Sequence, residues 1–197
     1  MPIITSVVPV SEIFELRWSV LRPGLPRATA AFPEDGAAGV FHLAAYPSAA
    51  PEGQTGAGAP PAAAPHPVGD AVPSATPAAP PARTPPLACV TFFPDPLPPA
   101  FPDPLPPAAD ARAPRPAAGA SYRFRGLASA PAARGRGYGV AVLRAGLAEA
   151  AARGARWAWC NGRTGARGFY ERQGFTAVGE EFDLAPSGRH LVFVIEL

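Results

Sequence analysis

The strongest chemical signal in the chain is the stretch Arg134 to Leu143, RGRGYGVAVL. Gly135, Gly137 and Gly139 alternate there with Arg134, Arg136 and Tyr138, and an apolar run follows from Val140. A glycine-rich turn that opens a helix suits an anion. The first helical N–H groups have no partner inside the helix, and the helix dipole adds partial positive charge at that end. Glycines also remove the Cβ atoms that would keep a pyrophosphate from the backbone. Two common nucleotide motifs do not fit. A dinucleotide fingerprint needs G-x-G-x-x-G, and the third glycine falls one residue early; a Walker A loop needs lysine, and the chain has none. What remains is R-x-x-G-x-G at Arg134, Gly137 and Gly139. Taken alone, that spacing equally describes a turn that caps a helix.

The charge distribution favours the anion. Residues 121–175 carry ten arginines against Glu149 and Glu171, a local charge of +8, while the flanking residues 1–120 and 176–197 each sum to −3. All 17 basic residues are arginine, a bias consistent with a GC-rich genome, but codon bias does not remove acids locally. No metal site is expected, because Cys89 and Cys160 are far apart and show no CxxC or Cys/His spacing. They read as buried thiols in a reducing compartment. The opening MPIITSVVPVSEIF lacks a basic n-region, and no apolar run approaches the roughly 20 residues of a membrane helix. A soluble, cytoplasmic protein is expected, with no membrane partner.

Several elements must position the turn. An amphipathic helix is expected from Ser11, as N-cap, to Arg22, with Ile13, Leu16 and Val20 near one face. Strands are expected at Gly39–Tyr46, Leu87–Phe93 and Ser121–Ser129. After the turn, a helix from Gly137 to Arg153 presents Val140, Leu143, Leu147 and Ala150 on one face and stops at Gly154. The run ARWAWCN is a strand, GARGFYERQ a short helix, and FTAVGEEFDL and HLVFVIEL a final pair of strands joined as a hairpin. Residues 47–86 are a low-complexity Pro/Ala/Gly segment with too little apolar surface to offset its ordering entropy, and so a disordered insert. A second proline-rich loop, 94–118, contains FPDPLPPA twice in tandem, at 93–100 and 101–108. The whole is a single mixed α/β (α+β) domain over 1–197.

The segment from YRFRGLASAPAARGRGYGVAVL through CNGRTGARGFYERQGF closely resembles the acetyl-CoA-binding core of the GNAT (GCN5-related) N-acetyltransferases. FELRWSVLRPGLP, FHLAAY and SGRHLVFVIEL resemble the first helix, second strand and last strand of a bacterial subgroup of that family. The resemblance implies a mostly antiparallel central sheet flanked by helices, with the core at 121–175. It implies acetyl-CoA as co-substrate and acetyl transfer to a primary amine, either a small molecule or a protein, by direct attack in a ternary complex. A homodimer is compatible with it.

Carried over by position, Arg134, Gly135, Arg136, Gly137, Tyr138, Gly139 and Val140 would cradle the pyrophosphate. The strand around Leu127, Ala128 and Ser129 would pair with the pantetheine arm, and Asn161 and Tyr170 would lie beside the arm and the sulfur. Tyr170 is the family's general-acid position. The base is open among Glu180, Glu181, His190 and His42, of which Glu181 and His190 are the leading candidates. A histidine titrates in the useful range unaided, whereas a glutamate needs burial or a water relay. Gly162 stands where the subgroup often carries alanine, a mild departure. Two other readings stay open. One is a non-catalytic anion- or nucleic-acid-binding module using Tyr122, Phe124, Trp157 and Trp159, although nucleic acid is not expected as a partner because strand aromatics belong in a core. The other is a cofactor-binding sensor without turnover.

Overall fold

The computed structural model describes residues 2–48, 84–98, 121–185 and 187–197. Seven strands form one mixed sheet: β1 (Ile3–Val8), β2 (Phe41–Pro47), β3 (Ala88–Pro94), β4 (Ser121–Ser129), β5 (Trp157–Arg163), β6 (Thr176–Leu184) and β7 (Gly188–Glu196). Their order is β1-β2-β3-β4-β5-β7-β6, antiparallel throughout except between β4 and β5. Three α-helices accompany them among the described residues: α1 (Val10–Leu21), α2 (Tyr138–Ala152) and α3 (Arg167–Arg172). The expected insert at 47–86 and the loop at 94–118 lie almost wholly outside the described residues. At their described ends, Pro47 closes β2 and Pro94 closes β3 opposite Tyr122, so both strands run into prolines assigned to loops. Among the described residues, no helix is long and apolar enough to cross a membrane.

β1 is missing from the sequence reading, although Ile3, Ile4, Thr5, Val7 and Val8 are all β-branched. It is an edge strand that leaves Ile4 and Val7 exposed, so it lacks the buried alternation that marks an interior strand. α1 begins one residue before the expected cap, after Pro9, and no side chain caps it.

Strand alternation divides the core into two layers. Phe41, Leu43, Ala45, Ala88, Val90 and Phe92 face α2, while Ala44 and Cys89 face Ile13 of α1. The inward stripe of α2 differs from the expected one. Tyr138, Val142, Leu143, Gly146 and Ala150 are buried, and Val140 and Leu147 only partly so. Gly146 is the reason: Phe92 fills the space beside it, and a Cβ there would stand 2.2 Å from Phe92 Cε2. The helix thus settles a glycine onto a fully buried ring of the sheet. The aromatics proposed for nucleic-acid stacking are core residues, with Tyr122 at 6%, Phe124 at 1%, Trp157 at 4% and Trp159 at 5% exposure.

Gly146→Ala is expected to lower Tm by several degrees. Overpacking a closed core costs about 1–3 kcal/mol, which exceeds the roughly 1 kcal/mol of helix propensity that alanine gains over glycine. Gly165→Ala, at a site with nothing within 4 Å of the added Cβ, is the control that should not move Tm comparably. Equal shifts in thermal unfolding would contradict the packing argument.

Candidate functional site

β4 and β5 pair in register only from Ser121–Trp157 to Arg123–Trp159. Beyond those three pairs the two parallel strands part, and a cleft of about 320 Å³ opens between them. Phe124 to Leu127 form one wall and Cys160 to Arg163 the other; Leu21, Arg22 and Phe32 close one side, and Leu184, Ser187 and His190 another. Backbone groups on the facing edges of β4 and β5 have no sheet partner across the gap. An extended ligand can supply one.

A bulge in β4 bends its wall. Cys89 faces Ala128 but Thr91 faces Arg125, so β4 spends one extra residue where β3 spends none. Gly126 occupies that bulge with φ of 68°, and a Cβ on it would meet Phe32 Cε2 at 2.9 Å and Arg17 Cδ at 3.2 Å. Glycine is needed here for conformation and for space at once.

Phe32 is held over the bulge by a buried clamp that the sequence reading did not contain. Arg17 of α1 is completely buried, and it donates to Asp35 Oδ1 at 2.8 Å and Oδ2 at 2.7 Å. Asp35 Oδ2 also accepts the Phe32 N–H at 2.9 Å, and the Arg17 guanidinium stacks 4.1 Å from the Phe32 ring centroid. Thr91 Oγ1 lies 3.4 Å from Arg17 Nη1 and 3.0 Å from His42 Nδ1, so His42 belongs to this clamp and not to the cleft lining. The available signal was an arginine four residues after Ile13, on the stripe that α1 buries.

The electrostatics of the clamp follow from burial. Burial pushes the Asp35 carboxyl up, but hydrogen bonds from Arg17 and Phe32 together with the Arg17 charge outweigh it and leave the group below its usual value. Burial also dominates at His42 and pushes it down; the Arg17 charge adds to this, while Asp35 opposes it.

Tyr170 lines the cleft from α3, with its ring packed 4.6 Å from Phe193 and edge-on to Phe175. Burial, reinforced by the adjacent Cys160, raises its pKa well above that of a free phenol. Gly162 is not the mild departure expected from sequence. A Cβ there would meet Tyr170 Cε2 at 2.5 Å and Phe193 at 2.7 Å, so this packing of Tyr170 depends on glycine. Asn161 and Leu127 also line the cleft. Ala128 points into the α1 layer, leaving only its backbone for a ligand, and Ser129 Oγ stands where a Cβ on Gly139 would come within 3.0 Å.

The glycine turn lies just beyond β4. Gly135 and Gly137 have φ of 72° and 87°, and Gly137 is the left-handed N-cap of α2. The first amide of α2 to bond within the helix is Ala141, to the Gly137 carbonyl at 2.9 Å, so Tyr138, Gly139 and Val140 present theirs outward. Tyr138 itself is buried in the core and offers only its N–H. Arg134 and Arg136 are exposed and have no acidic partner among the described residues. The +8 block is partly neutralised by acids from elsewhere: Arg123 pairs with Asp95, Arg125 with Glu34 and Arg156 with Glu196.

The leading base candidates separate. Glu181 is exposed, ion-paired to Arg189 at 3.2 Å, and outside the cleft lining. Glu180 is exposed on the same strand. His190 is 4% exposed and lines the cleft, and its Nδ1 lies 2.6 Å from the Gly188 carbonyl. A carbonyl only accepts, so Nδ1 donates this bond, and in the neutral ring the lone pair sits on Nε2. Cys160 is buried with its pKa raised by burial, and Cys89 is pushed up to about 12, so neither is a thiolate at neutral pH.

Residues 109–177 match the acetyltransferase (GNAT) domain family. Over 72 residues the chain is 32% identical to the uncharacterized N-acetyltransferase YitI of Bacillus subtilis strain 168. That match takes in 36% of this chain and 48% of YitI, so the chain spans about half the length of the curated relative it matches. At the level of fold, a solved structure from Lactobacillus plantarum superposes with a TM-score of 0.58 at 17% identity, covering 100% of this chain and 97% of that one. An aminoglycoside 6'-N-acetyltransferase complexed with coenzyme A superposes with a TM-score of 0.58 at 11% identity, covering 98% and 96%.

Stability is expected to fall as pH drops below about 6.5, because His42 must take up a proton on unfolding that the folded state resists. A second loss begins below about 4, the range in which unfolded Asp35 binds a proton that the folded clamp excludes. Urea unfolding of wild type and His42→Gln between pH 7.5 and 5 checks the first limb: the variant should show a flatter dependence. Equal slopes would contradict the assignment.

Proposed function

We propose that the chain is a GNAT-family, acetyl-CoA-dependent N-acetyltransferase that acetylates a primary amine by direct attack. The observation that carries this reading is the divergence of β4 and β5, which leaves an open edge on β4, the strand that leads into the glycine turn at the start of α2.

The residues present fit the cofactor. The outward N–H groups of Tyr138, Gly139 and Val140, with Arg134 and Arg136 beside them, suit a pyrophosphate. Gly126 to Ser129 offer backbone groups to an amide-bearing arm, and the arm would end between Asn161 and Tyr170. Bound there, acetyl-CoA supplies an activated acyl group on a thiol leaving group.

The chain's own work is then positioning and proton management. Most free alkylamine is protonated near neutral pH, so the acceptor must lose a proton before or during attack. His190 is the proposed acceptor of that proton at Nε2, because its ring lines the cleft and its other nitrogen is committed to Gly188. The amine nitrogen–carbon bond forms as the carbon–sulfur bond breaks, and the sulfur leaves with the electron pair. Tyr170 is proposed to donate a hydrogen bond to that sulfur. Full proton transfer from a phenol held above its free value to a thiolate whose thiol has a pKa of about 8.5 is uphill, so partial donation followed by solvent protonation balances better.

Acetyl-CoA should raise Tm, by the equivalent of about 2.7 kcal/mol at a hundred times its Kd. Gly137→Glu should abolish that shift relative to its own unliganded Tm, because it adds a carboxylate and backbone strain to the turn. Absence of any shift in wild type at saturating acetyl-CoA would sink the cofactor assignment.

Tyr170→Phe keeps the packing and removes the hydroxyl. We expect turnover to fall by roughly 10²-fold, with the acetyl-CoA Tm shift retained. An unchanged kcat would remove Tyr170 from the leaving-group role.

A further inference from the structure

The cleft carries a charge pattern that bears on the acceptor. Four arginines line it, Arg22, Arg123, Arg125 and Arg163, and no aspartate or glutamate does so among the described residues. Two of the four are compensated from outside the lining, Arg123 by Asp95 at 3.4 Å and Arg125 by Glu34 at 3.1 Å. The compensation of Arg125 is incomplete. Both Glu34 oxygens take the same Nη1, so the Nε and Nη2 donors of that planar fork have no partner among the described residues. Its Cζ lies 3.9 Å from the Phe32 ring centroid, a contact that restrains the guanidinium beside the cleft.

Arg22 and Arg163 have no acidic partner among the described residues, and the only contact of Arg22's guanidinium is Nη1 to the neighbouring Leu21 carbonyl at 3.0 Å. Burial lowers the proton affinity of Arg125, Glu34 opposes this, and the like charges of Arg123 and Arg22 lower it further. Of these three arginines, Arg22 alone has no acidic partner among the described residues. Arg22 and the free edge of Arg125 thus leave positive charge at this wall that a negative group can meet.

We propose that the acceptor is a small amine that itself carries a carboxylate, held by Arg22 and the free edge of Arg125 so that its amino group lies toward His190 and the parted strands. The proposal rests on the acetyltransferase reading above and deepens it. The volume of about 320 Å³ admits a molecule of amino-acid size beside the end of the acyl donor. A carboxylate meets a planar guanidinium fork in a paired geometry that a neutral amide cannot reproduce. Polycationic acceptors, such as polyamines and aminoglycosides, would bring like charge to an arginine-lined wall, and electrostatic mismatch is how a site rejects a partner.

The test uses the full chain with acetyl-CoA and a thiol-release assay on matched pairs: each L-amino acid and β-alanine against its carboxamide, with spermidine and an aminoglycoside as polycations. Amidation lowers the amine's own pKa, so intrinsic reactivity favours the amide, and a carboxylate preference must come from the protein. The expected result is a kcat/KM at least tenfold higher for the carboxylate member of a pair. Arg22→Ala should erase that advantage, mainly by raising KM for the carboxylate member of each pair, and be partly rescued by Arg22→Lys. Turnover of amides or polycations equal to or above that of every carboxylate would overturn the proposal. So would failure of all carboxylate amines with a protein whose Tm still rises with acetyl-CoA. A wild-type protein whose Tm ignores acetyl-CoA fails at the donor instead, and the acceptor proposal falls with it.

Discussion

Parallel strands hold together only as long as their ladders stay in register, and β4 and β5 stay in register for three residue pairs. The cleft exists because they part after Arg123 and Trp159. The separation leaves Phe124 to Leu127 and Cys160 to Arg163 facing each other across open space, and it leaves backbone groups in want of partners. Strands that kept pairing would have buried the same residues in a continuous sheet with no cleft. The wedge is kept open from both sides. The β4 bulge turns one wall, and the rings of Tyr170, Phe193 and Phe175 fill the space behind the other.

The Arg17–Asp35 clamp has a different character from the rest of the core. A fully buried guanidinium is expensive to desolvate, and its Nε has no hydrogen-bond partner. A hydrophobic residue at position 17 could pack against Ile13 at lower desolvation cost, so bulk stability is a poor explanation for the pair. Its geometric effect is specific: through Asp35 it fixes the Phe32 backbone, and through stacking it fixes the Phe32 ring above Gly126. The polar network ties the Phe32 side of the cleft to α1, an element far from the glycine turn in the chain.

Local signals in the sequence were read with success where they are local in physics. The glycine turn, the strand before it, the helix after it, the hairpin of β6 and β7 and the burial of both cysteines depend on short-range conformation or on runs of apolar residues. β1 escaped because an edge strand with exposed Ile4 and Val7 shows no clean alternation. The stripe of α2 shifted because a periodicity count ignores Gly146, whose missing side chain is what lets Phe92 enter the interface. The strand aromatics proposed as stacking platforms proved to be core, as their own alternating pattern had implied.

The candidate site divides along the same line. Types and spacing within one segment determined the glycine turn at the start of α2 and the strand and helix that carry Asn161 and Tyr170, because a strand–turn–helix unit is encoded by neighbours in the chain. Tertiary structure alone decided which charges meet. It took Glu181 out of the cleft and brought His190 in, drew His42 into the clamp, and set Glu34 and Asp95 against arginines some ninety and thirty positions away. It also made Gly162 a close-packed position and joined Arg22 to Arg125 at one wall. Electrostatic energy depends on distance and burial in space, and neither is written in the separation of residues along a chain.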